Sequence, residues 1–288
     1  MLSVIIPCYN AEKTIEDCLL SLENQRTDND FEIIVVDSSS DNTPEIIKEK
    51  FPSIKLFKFS KRKFPGDARN IGISVAKGEI IAFFDADCRA DKKWVDEILK
   101  AHQMPYLAIG GVVVNGNPES LISWAYYFCE CNLYMPNTKK REVDDLPGLS
   151  VSYKKEVFQE YGRFVEGVYG SDTELNTRLR QDGHRLLCIP SILVYHIYLD
   201  NLKDFLKHEY FHGQSYARMR VETTNFSELK RFCYAVCFPL IAVKLFLRVA
   251  LLNVKNRIYL SHYFKTLPLV ALGLIFWSFG ECVGYMKG

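Results

Sequence analysis

The sequence has no surplus of charge: 36 Lys and Arg stand against 35 Asp and Glu, a formal net charge of +1. A protein that neutralises several nucleic-acid phosphates needs a basic excess, so nucleic acid is not an expected partner. The nine cysteines form no C-x-x-C pair and no Cys/His cluster at zinc-finger spacing. Neither a structural zinc site nor a thioredoxin-type redox motif is indicated, and the cysteines read as small buried hydrophobes of a reducing compartment. The turn after the first apolar run, Pro7-Cys8-Tyr9-Asn10, contains no glycine. That excludes a G-x-G-x-x-G dinucleotide loop and the glycine-rich loop with which a nucleotidyltransferase wraps a triphosphate. Leu2 to Ile6 is too short for a secretory signal and has no charged front end. Internal repeats and low-complexity stretches are absent too.

What the sequence does have is a rhythm. Leu2 to Ile6, Phe31 to Val36, Ile54 to Phe59 and Glu79 to Phe84 read as strands. A helical stretch follows each: after Asn10, a plausible cap; from Thr43-Pro44-Glu45; from Gly66 to Ala76; and after Asp91, the next cap. Four such alternations in the first hundred residues predict an α/β fold, a mainly parallel sheet covered by helices on both faces. Ligands of such sheets sit beyond the carboxyl ends of the strands, where Asp37 and the pair Asp85 and Asp87 fall. Further on, Leu107 to Val114 and Ile192 to His196 read as strands. Pro118 to Tyr134 reads as one long aromatic helix, and Ser171-Asp172-Thr173-Glu174 as a capping box that opens another.

Composition shifts near residue 230. Leu267 to Met286 carries one charge, Glu281, and matches the roughly 20 residues that cross a bilayer. Phe232 to Leu252 is also apolar, with Lys244 and Arg248 four residues apart on one helical face. A cation at the bilayer centre is costly, so that face should meet protein, water or headgroups. The expected division is residues 1–200 as the catalytic domain and 201–231 as an interfacial helical connection. Residues 232–288 form a membrane segment with helices at 232–252 and 267–286, either a hairpin or an interfacial helix plus one span.

Two carboxylates one residue apart after a strand, Asp85 and Asp87, can share a hard divalent cation with a diphosphate, although a lone D-x-D also arises by chance or as a helix cap. Asp172 at a helix start either stabilises the helix dipole or serves as a general base. His196 is either a hydrogen-bonded strand end or a ligand, and Arg69 either a surface arginine or a diphosphate clamp.

The blocks taken together are more specific. Ser3-Val4-Ile5-Ile6-Pro7-Cys8-Tyr9-Asn10-Ala11-Glu12 and Glu32 to Thr43 resemble the opening of family 2 glycosyltransferases of the GT-A fold. Gly66-Asp67-Ala68-Arg69-Asn70-Ile71-Gly72 through to Asp85-Ala86-Asp87, and Gly170 to Leu175 with Arg178-Leu179, are similar to the family's later blocks, in the family's order. The resemblance implies a nucleotide-sugar donor whose base is held by Pro7, Tyr9 and Asp37, with Arg69 near the nucleotide or diphosphate. It also implies a Mg2+ or Mn2+ ion on Asp87, with Asp85 facing ribose or metal, His196 as a further ligand, and Asp172 as the base of an inverting displacement. Two departures stand out. Ser171 occupies the place of a common Glu, and the Q-x-x-R-W motif of polymer-making members is missing, since Gln214 precedes Arg218 and Met219 at the wrong spacing. Transfer of one sugar per acceptor is therefore expected. The cationic, aromatic stretch Lys203 to Arg220 favours a lipid phosphate or lipid-linked acceptor at a membrane, with the catalytic domain facing the cytoplasm where nucleotide-sugars are made. The alternatives are a soluble or protein acceptor, and an inactive membrane-anchored scaffold.

Overall fold

The computed structural model describes residues 1–223 and 226–287. Residues 224, 225 and 288, which fall within the expected connection and membrane segment, lie outside the described residues. In chain order the first elements are β1 (Leu2–Cys8), α1 (Ile15–Glu23), β2 (Phe31–Asp37), α2 (Thr43–Lys50), β3 (Lys55–Lys58), α3 (Pro65–Val75) and β4 (Ile80–Phe84). Then come β5 (Cys88–Ala90), α4 (Trp94–Ala101), β6 (Ala108–Asn115), α5 (Leu121–Glu130), β7 (Arg141–Val143), β8 (Ser150–Lys154), α6 (Glu156–Glu160), α7 (Ser171–Gln181) and β9 (Leu186–His196). Last come α8 (Leu202–Thr223), α9 (Glu228–Val236), α10 (Phe238–Asn256) and α11 (Leu260–Lys287).

Two compact units result. The first joins Met1–Val114, Thr138–Gly167 and Ser171–His196; the second joins Asn115–Asn137, Val168–Gly170 and Ile197–Gly288.

The first unit is built on a mixed sheet of order β3-β2-β1-β4-β8-β6-β9-β5, with β7 on β9. β1 pairs in parallel with β2 and β4, and β2 with β3, while β8 runs antiparallel to β4 and to β6. From β1 the chain builds β2 and β3 on one side and then returns to place β4 on the other. In open α/β sheets such a reversal marks the ligand crevice, here beyond the carboxyl ends of β1 and β4. β1 is apolar on both faces and its Val4, Ile5 and Ile6 are wholly buried, as a strand covered by helices requires. Its one polar member, Ser3, is satisfied: its hydroxyl donates to Glu32 Oε1 (2.5 Å) and accepts from the Gly78 N–H (2.8 Å). Helix α3 starts at Pro65, whose missing N–H is no loss there, and the Asp67 carboxylate accepts from the Phe64 N–H (2.9 Å).

Several boundaries differ from the sequence reading. Asn10 caps no helix. It adopts a left-handed φ of 52°, its N–H donates to Ser39 Oγ (2.7 Å), and its Oδ1 accepts from the Ser40 N–H (2.9 Å), so it pins the loop after β2. The aromatic helix is shorter than Pro118 to Tyr134, because Ser120 caps α5 by accepting from the Ser123 N–H (3.2 Å). Strand β9 begins six residues earlier than expected, at Leu186. Ser171 does open α7, but Glu174 turns to Arg178 (2.7 Å) instead of closing a capping box.

In the second unit α11 packs against α5, α8 and α10. It is the one helix among the described residues long and apolar enough to cross a membrane. Its lone acid, Glu281, is buried, accepts from Tyr285 Oη (3.0 Å) and faces Arg220 at 3.5 Å. The apolar stretch at 232–252 is not one helix: α9 and α10 meet at a 67° bend. Pro239, in the first turn of α10, has no N–H to continue α9 and its ring would clash with the preceding turn.

Candidate active site

The carboxyl ends of β1 and β2 carry the first group of residues. Asp37 ends β2 and is wholly buried. Its Oδ1 accepts from the Ser39 hydroxyl (2.5 Å) and N–H (3.3 Å). Its Oδ2 is shut away from solvent and meets no N–H or O–H donor among the described residues; a weak donor, the Cys8 thiol, lies beside the carboxylate. Burial raises the Asp37 carboxyl above the ordinary aspartate range, although the Ser39 bonds oppose this. Pro7 lies in β1 opposite Val36. Tyr9, just beyond β1, is 41% exposed, and the Arg62 guanidinium covers its ring at 4.2 Å from the centroid.

A second group begins where β4 ends. The Cys18 thiol reaches the Asp85 carbonyl (3.6 Å) from below. Arg69, brought in by α3, is buried with only 5% of its side chain exposed. It faces Asp85 Oδ1 at 3.5 Å and Asp172 Oδ1 at 3.9 Å. One guanidinium therefore ties the acid after β4 to the acid opening α7. The rings of Phe83 and Phe164 lie 5.6 Å from its guanidinium carbon, and its Nε is buried without a partner. Gly148 lies against the pair: a Cβ there would come within 2.5 Å of Arg69 Nη2 and 2.6 Å of Asp172 Oδ2. Burial raises the Asp85 carboxyl; Arg69 opposes the rise, and Asp87 and Asp172 add to it.

The third group is at the antiparallel junction of β5 and β9, where Cys88 pairs with His196. That register sets the imidazole beside the residue before β5, and His196 Nε2 lies 3.2 Å from Asp87 Oδ1. His196 is nearly buried at 9% side-chain exposure, while Asp87 is open at 46%. One ligand atom each from Asp87, Cys88 and His196 fall within 4.8 Å of one another, close enough to hold an ion. The geometry thus collects Arg69, Asp85, Asp87, Asp172 and His196 along one side of the crevice and Pro7, Tyr9 and Asp37 at the ends of β1 and β2.

Four participants carry weaker sequence signals. Ser39 and Arg62 have ordinary surface readings, and Gly148 stands in a loop beside a proline. Asp145 has the one clear signal, an acid just before that Pro-Gly loop. Its Oδ2 accepts from Thr173 Oγ1 (2.8 Å) and its Oδ1 from Asn176 Nδ2 (2.7 Å), so it grips the first turns of α7. Burial, and then the charge of Asp172, raise its carboxyl.

Residues 3–162 match the family described as Glycosyl transferase family 2. A Methanococcus voltae protein named dolichyl N-acetyl-alpha-D-glucosaminyl phosphate 3-beta-D-2,3-diacetamido-2,3-dideoxy-beta-D-glucuronosyltransferase is 26% identical over 274 residues, 84% of this chain and 80% of that one. The EpsH protein of Bacillus subtilis (strain 168) is 38% identical over 100 residues, 34% of this chain but only 29% of its own length. Among solved structures, the mannosyltransferase PcManGT of Pyrobaculum calidifontis, in complex with GDP-Man and Mn2+, superposes with a TM-score of 0.64 at 18% identity, over 97% of this chain and 86% of that one. That likeness carries the fold: the mixed sheet is the GT-A arrangement that the sequence blocks implied.

Proposed function

The chain belongs to glycosyl transferase family 2, and on that premise we propose that it transfers one sugar, with inversion, from a nucleotide-sugar to an acceptor at a membrane surface. The observation that carries the proposal is the line of charged groups beyond β4: Asp87 against His196 at 3.2 Å, and Arg69 spanning Asp85 and Asp172. Asp37 Oδ2, a buried acceptor lacking an N–H or O–H donor, suits an N–H of the donor's base. Tyr9 offers the exposed ring on which that base stacks once Arg62 moves aside.

Asp87 and His196 are already gathered closely enough to hold a Mg2+ or Mn2+ ion, and Asp85, near enough to feel the charge of both, would add a further oxygen; an imidazole among carboxylate oxygens suits manganese better than magnesium. When bound, such a cation neutralises charge on the leaving diphosphate. Arg69 holds Asp172 in place, and Asp172 takes the proton of an acceptor hydroxyl as its oxygen attacks the sugar's C1 and the C1–O bond to phosphate breaks. Asp145, through Thr173 and Asn176, fixes the helix that carries Asp172 and so takes over an orienting task for which Ser171 is not equipped.

The membrane reading rests on an exposed apolar stripe over α9 and α10. Leu229, Phe232, Val236, Leu240, Val243, Leu247, Leu251 and Val254 recur every three or four residues and are each at least half exposed. Lys244 and Arg248 border it and are exposed. A helix with an apolar face and flanking cations lies in the plane of a bilayer, with the cations at the headgroups. A lipid phosphate or lipid-linked glycan is the acceptor class this arrangement serves, and the catalytic unit faces the cytoplasm.

The test is turnover by detergent-solubilised protein of a panel of UDP-, GDP- and dTDP-sugars, with manganese and with EDTA. One donor should be turned over only with metal, and Asp87→Ala should lose at least roughly a hundredfold. No turnover with membrane lipid extract supplied, and no metal-dependent nucleotide binding, would leave an inactive scaffold. A lipid-phosphate acceptor is already ionised and needs no base. Asp172→Asn should therefore cost roughly a hundredfold or more with a hydroxyl acceptor; near-normal turnover would leave Asp172 a structural partner of Arg69.

A further inference from the structure

A second cluster of metal-ligating side chains lies in the second unit. Residues 208–212 read His-Glu-Tyr-Phe-His, so His208 and His212 stand four apart on one face of α8. Glu130, the last residue of α5, meets both: its Oε1 lies 3.0 Å from His208 Nε2 and 3.1 Å from His212 Nδ1. One ligand atom from each of the three falls within 4.8 Å of the others. Exposure is graded, with Glu130 at 18% and the imidazoles at 40% and 41%, so the cluster is anchored by protein and open to solvent.

We propose that Glu130, His208 and His212 form a second metal site, one that takes a zinc-class divalent cation and staples α8 to the end of α5. Three arguments support it. The donor set, two imidazoles and one carboxylate, is a zinc set with one position left for water, whereas the Asp85/Asp87 corner is richer in hard oxygen. The ligands are already gathered, since ligand atoms on a tetrahedral ion with bonds of about 2 Å sit roughly 3.3 Å apart. The rings are also held: Tyr126 packs on His208 at 4.9 Å between centroids, and the carboxyl-terminal end of α5 adds its partial negative charge where a cation would sit.

Glu209 decides what kind of site this is. In an H-E-x-x-H metallohydrolase the acid between the histidines is the general base and faces the metal-bound water. Here Glu209 is 1% exposed, its Oε1 has no partner, and its neighbours include Glu130 and the Cys129 thiol. A carboxyl packed away from solvent serves no hydrolysis, so the site is a staple. The exclusion of zinc in the sequence reading rested on the cysteines and did not reach a site made without them.

The full chain in detergent, as the triple variant Asp87→Ala, Cys88→Ser, His196→Ala so that the other corner keeps none of its gathered ligands, should retain about one equivalent of zinc after passage over a chelating resin. Cobalt in its place should give the visible absorption of a four-coordinate ion. Zinc should raise the melting temperature of EDTA-treated protein. His208→Gln keeps a hydrogen bond to Glu130 but not the metal affinity, so it should fold, lose the zinc-dependent shift and bind at least roughly a hundredfold more weakly, since even outer-shell losses cost 10–100-fold. Failure to retain zinc, or uptake and shift unchanged in His208→Gln and His212→Ala, overturns the proposal. Because the readouts are metal content, absorbance and melting, they are independent of whether the chain transfers sugar.

Discussion

At the residue scale, Gly148 and His102 make two unlike demands. Gly148→Ala places a methyl carbon 2.5 Å from Arg69 and 2.6 Å from Asp172, so one of those side chains must move. Turnover should fall about a hundredfold with little loss of stability, as a displacement near 1 Å costs in a positioned site; steady-state kinetics beside a melting curve will show it. His102 concerns stability alone. Ser152 Oγ donates to the Ile109 carbonyl (3.0 Å), so His102 Nε2–H must donate to Ser152 (2.8 Å), which leaves Nδ1 a buried atom without a partner. Burial, and then nearby Lys154, lower its pKa from 6.5 to about 4. The neutral ring is kept when folded, whereas the unfolded chain takes a proton below 6.5. Stability is therefore complete above that pH and falls between 6.5 and 4, by about 2 kcal/mol at pH 5. Denaturant unfolding of His102→Gln should lack this component of the acid loss; an identical pH profile for both proteins would refute the assignment. Strand ends and ordered blocks mark Asp37, Arg69, Asp85, Asp87, Asp172 and His196 as candidates, and the fold brings Arg69 to Asp85 and Asp172, and Asp87 to His196. Gly148 and Asp145 could not be given roles, because theirs come from neighbours far away in sequence.

Elements were legible where local signals agree. The parallel strands β1, β2 and β4 and the proline start of α2 follow from apolar runs and first-turn residues. The α9–α10 bend was less visible because apolar composition masked Pro239. Least visible was how closely α8 meets α11. A Cβ on Gly213 would come within 1.9 Å of the Trp277 carbonyl, and one on Gly280 within 1.9 Å of the Tyr210 carbonyl, so the two backbones touch. Small residues allow such approach, and no propensity reports where the partner helix is. Gly280→Ala should lower stability by about 1–3 kcal/mol or more, because backbone must yield where a flexible side chain could have moved. A thermal melt followed by tryptophan fluorescence will show it, Trp277 lying in that contact.

For the whole molecule, the apolar stripe predicts behaviour that neither unit's chemistry requires. Leu247→Glu, at an outward position 55% exposed, should reduce binding to vesicles containing anionic lipid by roughly tenfold or more and leave hydrolysis of the nucleotide-sugar unchanged. Co-sedimentation beside a hydrolysis assay separates the two, and undiminished sedimentation would mean the stripe meets something other than lipid. The pairing of Cys88 with His196 has a consequence in time as well as space. A ribosome releases Asp37, Arg69, Asp85 and Asp87 early and His196 only after most of the catalytic unit has emerged. Until then the β5 edge has no strand to dock, so a nascent chain or a fragment stopped before β9 can gather its parallel strands yet lacks one wall of the acidic corner. Completion of the sheet is thereby written into the site itself.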